Sequence, residues 1–222
     1  MMGRTHALSG AVGMLAVTPA VSAVTPSLTP HGPVALAAGT VVAAGAALLP
    51  DLDHPRATVA RSLGPVTGAL SKAVAAVSGG HRHATHSVAG ILAFTGVFGV
   101  AGAAGGWWAW VPVTVLAGLA VAAVGVARPV AAWAGAGLVV AASAVAGVDL
   151  GSWLGLSVAI GCAAHLAGDC ATVQGCPLLW PWRRRYEYAH LRTGGRGEQW
   201  TAAVLVTVLA AEVLITTMGT GR

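Results

Sequence analysis

Residues 151–171, GSWLGLSVAIGCAAHLAGDCA, form an apolar run of the length that crosses a lipid bilayer. The run carries two ionisable side chains, His165 and Asp169, toward its carboxyl end. A carboxylate or an imidazole is costly near hydrocarbon, and membrane proteins that keep such groups generally use them. The run therefore predicts a transmembrane helix with a polar site at one end.

Composition extends this prediction to the whole chain. Of the 222 residues, 56% are hydrophobic and only 9% are charged, whereas roughly a quarter of the residues in a soluble domain are charged. Apolar runs of spanning length, about 20 residues, lie at 7–24, 33–50, 87–105, 107–126, 129–147, 151–171 and 200–218. We expect residues 1–222 to form one integral membrane domain, an all-α polytopic transmembrane helical bundle with about seven spans. The abundance of small residues favours close helix packing.

Two segments are not predicted to span the membrane. Residues 56–78 place basic residues among apolar ones at three- and four-residue spacing, which is typical of a helix lying in the membrane interface. Gly64-Pro65 predicts a break within this segment. Residues 172–199 are rich in turn residues and contain the arginine run 183–185, which indicates a cytoplasmic loop that can order anionic headgroups.

The distribution of basic residues predicts the orientation in the membrane. Threading seven spans places 11 of the 12 Lys and Arg residues on one side and leaves Arg222 on the other. Basic residues are enriched in cytoplasmic loops, so we expect a cytoplasmic amino terminus and an external carboxyl terminus. The net charge of +5 then faces membrane lipid, and no nucleic-acid partner is expected because no soluble domain remains.

Four short polar motifs lie at the ends of apolar runs. They are Thr5-His6, LPDLDH at 49–54, HRHATHS at 81–87 and HLAGD at 165–169. The predicted topology brings all four to the cytoplasmic face, although it was assigned from Lys and Arg alone. This convergence predicts one shared site.

The residue types in these motifs point to a divalent metal. His165 and Asp169 are four apart and project from the same face of a helix, and both side-chain types bind zinc or manganese. Asp51 and Asp53 repel each other unless a cation or proton relieves them. The predicted ligands are His6, Asp51, Asp53, His54, His81, His86, His165 and Asp169. The spacing of His83 to His86 also permits a shared helical face.

Simpler interpretations exist for each motif taken alone. His165 and Asp169 fit a buried hydrogen-bonded pair about as well as a metal site. His6 alone is better explained as an interfacial histidine, and the two aspartates fit a polar helix end. Either Thr85 or Ser87 can cap the third span. Taken together, the four motifs favour a metal centre.

The order and spacing of these motifs resemble a known family. Thr5-His6, residues 49–54, His81-Arg82 with Thr85-His86-Ser87, and His165-x-x-x-Asp169-x-x-Thr172-x-x-Gly175 look like the YdjM-like, LexA-regulated group of inner-membrane metal-dependent hydrolases. The resemblance covers residues 5–181. It implies a multi-span protein of the bacterial inner membrane with a divalent-metal hydrolase site, and it leaves the substrate open.

Residues and resemblance together lead to a functional hypothesis. We expect metal-assisted hydrolysis, in which one or two divalent ions lower the pKa of a bound water and polarise the scissile group. Asp51, Asp53 and His86 are the predicted catalytic residues, and Arg82 is predicted to bind a phosphate oxygen of a lipid or phosphoester substrate. A metal or proton transporter is disfavoured because the outer halves of the spans are almost purely apolar. A non-catalytic metal-stabilised scaffold stays open, as do metal identity and oligomeric state.

The charge asymmetry predicts the outcome of reporter fusions. Reporters fused after Arg4 and within residues 183–196 should both report a cytoplasmic location, and one fused after Arg222 should report an external location. Paired alkaline-phosphatase and fluorescent-protein fusions measure this directly. A cytoplasmic carboxyl terminus would show that the number of spans is even.

Overall fold

The computed structural model describes residues 1–125 and 129–219. The α-helices in these residues are α1 (Gly3–Val24), α2 (Gly32–Ala46), α3 (Thr58–Arg61), α4 (Pro65–Ser78), α5 (Val88–Ala104), α6 (Trp107–Ala123), α7 (Pro129–Val145), α8 (Gly151–Cys170) and α9 (Arg196–Gly219). Short 3-10 turns lie at Pro26–Leu28, Pro50–Asp53 and Ala84–His86. The described residues form no extended strand, only isolated bridges. The predicted all-α class is confirmed.

Each of the seven predicted apolar runs contains a helix. Four segments are long and apolar enough to cross a membrane: Gly3–Val24, Gly32–Asp53, Gly151–Cys170 and Arg196–Met218. Three further apolar helices are shorter, namely Val88–Ala104, Trp107–Ala123 and Val130–Val145. A membrane-spanning helical bundle is thus supported, while the number of seven spans stays a prediction. Arg128 and Arg222, which contributed to the charge count, lie outside the described residues.

Helix α8 is the central element, because it packs against α1, α2 and α5. Small residues bring these backbones together. A Cβ atom at Gly161 would overlap the Ala43 carbonyl and lie 2.8 Å from Cβ of Ala46. Gly45 of α2 approaches the Leu116 carbonyl of α6 in the same way. Small residues therefore set the spacing of the bundle, as the composition indicated.

The apolar core lies between α2, α6 and α8. Its fully buried side chains include Val42, Val113, Leu116, Trp153 and Leu154. These contacts fix the carboxyl ends of α2 and α8 side by side. The motif at 49–54 follows the end of α2 and the motif at 165–169 lies in the last turns of α8, so the two meet.

The segment predicted to lie in the interface folds as two helices. The chain breaks at Gly64, whose φ of +59° is a conformation that favours glycine, and α3 and α4 lie on either side. Helix α4 contacts the 3-10 turn at Pro50–Asp53 and exposes Val66 and Val77. The predicted break is present, and the interfacial position stays a prediction.

The loop predicted at 172–199 folds back on itself. Thr172 pairs with Leu191 in an isolated β-bridge, and Cys176 pairs with Tyr186 in another. Helix α9 begins at Arg196, earlier than the predicted residue 200. The loop thereby holds Thr172 and Gly175 against the polar cluster.

The close approach of α8 and α2 predicts an effect of adding one methyl group. Gly161→Ala should lower the unfolding free energy by about 1–3 kcal/mol, because its Cβ has no room against α2. Thermal unfolding in detergent micelles measures this change. Gly96→Ala in α5 is the matched control, since nothing lies within 4 Å of that Cβ. Equal stability of the two variants would contradict the close-packing interpretation.

Candidate metal centre

Two groups of ionisable side chains meet at one end of the bundle. Within each group, one potential ligand atom per residue lies within 4.8 Å of the others. The first group contains Asp51, Asp53, His81 and His86, and the second contains His6, His165 and Asp169. The groups adjoin, because Nε2 of His86 lies 3.2 Å from Nε2 of His165. The structure thus brings together side chains from all four motifs.

His165 is oriented by the end of α2. Its Nδ1 lies 2.6 Å from the carbonyl oxygen of Ala47, one of the carbonyls that a helix leaves without an internal partner. Because a carbonyl only accepts, Nδ1 carries the hydrogen and Nε2 presents a lone pair. A backbone carbonyl on the far nitrogen is the usual support of a metal-binding histidine.

His86 is oriented in the same sense by Thr85. The Thr85 hydroxyl lies 2.5 Å from Oδ2 of Asp53 and 3.0 Å from Nδ1 of His86. The hydroxyl donates to the carboxylate, so it accepts from Nδ1–H of His86, and Nε2 of His86 also presents a lone pair. Ser87 rather than Thr85 caps α5, since its side chain accepts from the Gly90 N–H.

Four acceptor atoms face one another at the centre of the cluster. From Nε2 of His86, Oδ1 of Asp51 lies 3.4 Å away and Oδ2 of Asp169 lies 3.6 Å away. From Nε2 of His165, the same two oxygens lie 3.8 and 3.6 Å away. Four ligands about 2.1 Å from a tetrahedral divalent ion lie about 3.4 Å from one another. Five of the six separations among the four atoms, 3.2 to 3.8 Å, are thus close to those around one such ion.

The charges at the centre also fit a cation. Two imidazole lone pairs and two carboxylate oxygens repel one another at these distances, and the low dielectric of a buried site strengthens that repulsion. His86, His165 and Asp169 are at most 1% exposed, so water screens them little. A cation among the four acceptors removes the conflict. The donor set of two nitrogens and two oxygens suits zinc or manganese.

Asp53 lies behind this centre and holds two of its neighbours. Its Oδ1 lies 2.8 Å from Nδ1 of His81, and its Oδ2 accepts from the backbone N–H of Arg82 at 3.1 Å as well as from Thr85. Asp53 is fully buried, whereas the side chain of His81 is 37% exposed. One nitrogen of His81 is thus held by the Asp53 carboxylate, while the ring reaches toward the surface.

His54 and His83 stand apart from both ligand groups. Nδ1 of His54 accepts from the backbone N–H of Arg56 at 3.2 Å. Its ring contacts that of His81 edge to face, with centroids 4.6 Å apart. The structure therefore places His54 at the rim of the cluster, and its predicted ligand role stays untested.

Two cationic groups of the protein lie beside Asp169 and balance its charge. Nη2 of Arg82 lies 2.8 Å from its Oδ2, and the amino group of Met1 lies 2.7 Å from its Oδ1. Nε2 of His6 lies 3.3 Å from Oδ1 as well. Two cationic groups thus surround Asp169, while Asp51 has none within ion-pair distance among the described residues.

Arg82 is buried rather than free. Its backbone has a φ of +57°, and its Nη1 donates to the Thr172 hydroxyl at 3.2 Å and to the Gly175 carbonyl at 3.4 Å. The predicted contact with a substrate phosphate would compete with these bonds and with the ion pair to Asp169. Arg82 thus contacts Asp169 directly, and its predicted contact with a substrate stays a prediction.

His6 reaches the cluster because α1 packs closely on α8. Its ring stacks on that of His165, with centroids 3.8 Å apart and an angle of 18°. Gly168 permits this approach, since a Cβ there would lie 3.2 Å from the His6 ring. Nδ1 of His6 is buried and has no hydrogen-bond partner among the described residues. Such unsatisfied atoms are uncommon in proteins, and this one lies in the group able to hold a cation.

Sequence reasoning missed the roles of three contributors to the site. The Ala47 carbonyl, the Met1 amino group and Gly168 belong to no ionisable side chain, so no residue-type signal marks them. Thr172 and Gly175 were marked only through the family resemblance. Their role, holding Arg82, depends on the folded loop.

Comparisons with known proteins give one match. The model of the YdjM inner membrane protein family matches residues 1–220. A comparison with curated proteins found no match, and a comparison with solved structures found none either. The matched range contains all four motifs.

The arrangement predicts a tightly held divalent ion. Purified protein should contain zinc, manganese or another divalent metal, and His165→Ala should lower metal affinity by at least about 100-fold, because loss of a ligand costs more than loss of an outer contact. Elemental analysis and competition with a chelator measure this. His190→Ala is the control, since His190 is 71% exposed and belongs to neither ligand group. Metal-free wild-type protein after purification without chelator would remove the hypothesis.

Proposed function

The chain belongs to the YdjM inner membrane protein family, and from this premise and the geometry of the cluster we propose that it is a membrane-embedded metal-dependent hydrolase. The proposed substrate is a lipid or another phosphoester at the cytoplasmic interface. The proposed ligands are His86, His165, Asp51 and Asp169, with His6 beside them.

The observation that carries the proposal is the unequal burial of the four central ligands. His86, His165 and Asp169 are at most 1% exposed, whereas the side chain of Asp51 is 23% exposed. Asp51 also lines a cavity of about 260 Å³. A structural metal site is closed on all sides, whereas a catalytic one keeps a position accessible to water and substrate. With four protein ligands in place, a catalytic role requires water or substrate to enter as a further ligand, an expansion that catalytic zinc sites can make. The opening at Asp51 offers access for it and supports the catalytic kind.

When bound, a divalent cation supplies two effects, a lower pKa of water and polarisation of the scissile group. The chain supplies a proton acceptor. His81, held at Nδ1 by Asp53 at 2.8 Å, resembles the carboxylate-oriented histidine of hydrolytic enzymes, in which the carboxylate fixes the tautomer and stabilises the charged ring. Its partial exposure allows the ring to take a proton from water and release it to solvent.

Other residues keep the site assembled. Arg82 and the Met1 amino group hold Asp169 in place and balance its charge when no cation is bound. The Ala47 carbonyl holds His165 in the tautomer that leaves Nε2 free. These contacts pre-organise the acceptors, which is how an enzyme avoids reorganisation during reaction.

The position of the cluster supports a substrate at the membrane surface. All four motifs meet at the ends of helices rather than at their middles. Lipid headgroups lie at this height, and the arginine-rich loop after α8 is suited to anionic ones. In the proposed orientation this face is cytoplasmic.

The proposal predicts a defined loss of turnover. His81→Gln should lower kcat about 100- to 10,000-fold, the usual contribution of a general base, while metal content stays at the wild-type level. The assay is hydrolysis of a panel of phosphoester, acyl and amide lipids by the full-length protein in nanodiscs supplied with zinc or manganese.

The exposed His190→Gln variant serves as the control and should keep full turnover. A metal-stabilised scaffold or a cation transporter would show no hydrolysis across the panel. Failure of metal-loaded wild-type protein on every lipid class would end the hydrolase proposal.

A further inference from the structure

The structure places an uncommitted arginine beside the open side of the metal centre. Arg56 lines the same cavity of about 260 Å³ as Asp51. We propose that Arg56 binds the phosphate group of the substrate and that this cavity is where the group reaches the metal centre. This inference rests on the proposed function and names the substrate class, a phosphoester whose ionised oxygen faces Arg56.

The cavity has the features of a small anion site. Its walls include Asp51, Arg56 and Thr58 together with the apolar side chains of Met2, Leu48 and Val59. Leu48 and Val59 are at most 4% exposed, so packing holds this wall of the cavity in place. A guanidinium and a hydroxyl are donors, and Asp51 is the most exposed of the four central ligands. A phosphate between them would meet donors on one side and the cation position on the other.

The contacts of the guanidinium group distinguish Arg56 from Arg82. The Arg82 guanidinium contacts Asp169, Thr172 and Gly175. The guanidinium of Arg56 makes no hydrogen bond or ion pair with any described residue, and only its backbone N–H is bonded, to His54. A free guanidinium offers two parallel donors that match a phosphate. Arg56 is therefore the available anion-binding group, and Arg82 holds the site together.

Cavity size limits what can enter. Pockets that enclose a whole drug-sized molecule measure about 300–1,000 Å³, so a cavity of about 260 Å³ holds a phosphate and a small substituent. The remainder of the substrate lies outside, either in the membrane for a phospholipid or in water for a soluble ester. The same phosphate chemistry serves both sources.

Binding measurements test the inference without turnover. The full-length protein in maltoside micelles, loaded with metal, is titrated with inorganic phosphate and separately with mixed micelles that contain phosphatidic acid. Arg56→Gln should weaken binding at least about tenfold, because bonds between charged partners are among the stronger ones. Arg56→Lys keeps the charge but loses the planar fork and should fall between. Arg61→Gln is the matched control, since it removes an exposed arginine of α3 that does not line the cavity.

The two probes separate the two sources of phosphate. Binding of inorganic phosphate that depends on Arg56 supports a soluble ester, and Arg56-dependent binding of phosphatidic acid alone supports a lipid. The inference is overturned if wild-type protein binds neither probe, if Arg56→Gln binds like wild type, or if Arg61→Gln loses as much affinity.

Failure of the hydrolase proposal gives a different result. Arg56-dependent phosphate binding without hydrolysis of any lipid would end the hydrolase proposal and leave the anion site in place. Hydrolysis that Arg56→Gln leaves unchanged in kcat/KM would end the anion site alone.

Discussion

Burial of two carboxylates, Asp53 and Asp169, and partial burial of a third, Asp51, at the end of an apolar bundle is the constraint on which the rest of the site depends. An uncompensated carboxylate in such surroundings costs several kcal/mol, so each needs a partner. Asp53 is satisfied by His81, Thr85 and a backbone N–H, and Asp169 by Arg82 and the Met1 amino group. Asp51 meets only imidazole nitrogens. Asp51 is thus the carboxylate whose negative charge has no cationic partner among the described residues, and it also lines the cavity.

Close packing of small residues brings these polar side chains together. Gly161 brings α8 against α2, so that the carbonyl at the end of α2 reaches His165. Because Gly168 has no side chain, the His6 ring fits between α1 and α8. Larger side chains at these positions would separate the helices and leave the acceptors too far apart to share one ion. The packing that suits a membrane bundle therefore also defines the geometry of the centre.

The two arginines near the cluster have different positions and different roles in the proposals. Arg82 is fixed by a loop that returns from the end of α8, and it balances Asp169 without reaching the surface. Arg56 lies on the open side, where its guanidinium is uncommitted. This division keeps one positive charge for assembly of the site and one for recognition of an anion. It also accounts for a basic residue next to a site that attracts cations.

The sequence by itself determined the class and the location of the chemistry. Apolar runs require helices in lipid because every backbone group must be bonded within its own segment, and the helices lie where the runs predict them. Rarity of ionisable residues marked His6, Asp51, His86, His165 and Asp169, and the structure brings them together. These features are readable because they depend on composition and on the helical period alone.

Tertiary structure decided how each of these residues is used. Arg82 and Arg56 are equivalent by residue type, yet the guanidinium of Arg82 is buried on Asp169 while that of Arg56 has no partner among the described residues, and only the folded structure sets them apart. Asp51 and Asp53 are two residues apart, yet one faces the centre and the other lies behind it. The Ala47 carbonyl carries no side-chain signal at all. Contacts between distant segments fix these roles, because the distance between two atoms far apart in the chain follows from packing and not from local sequence.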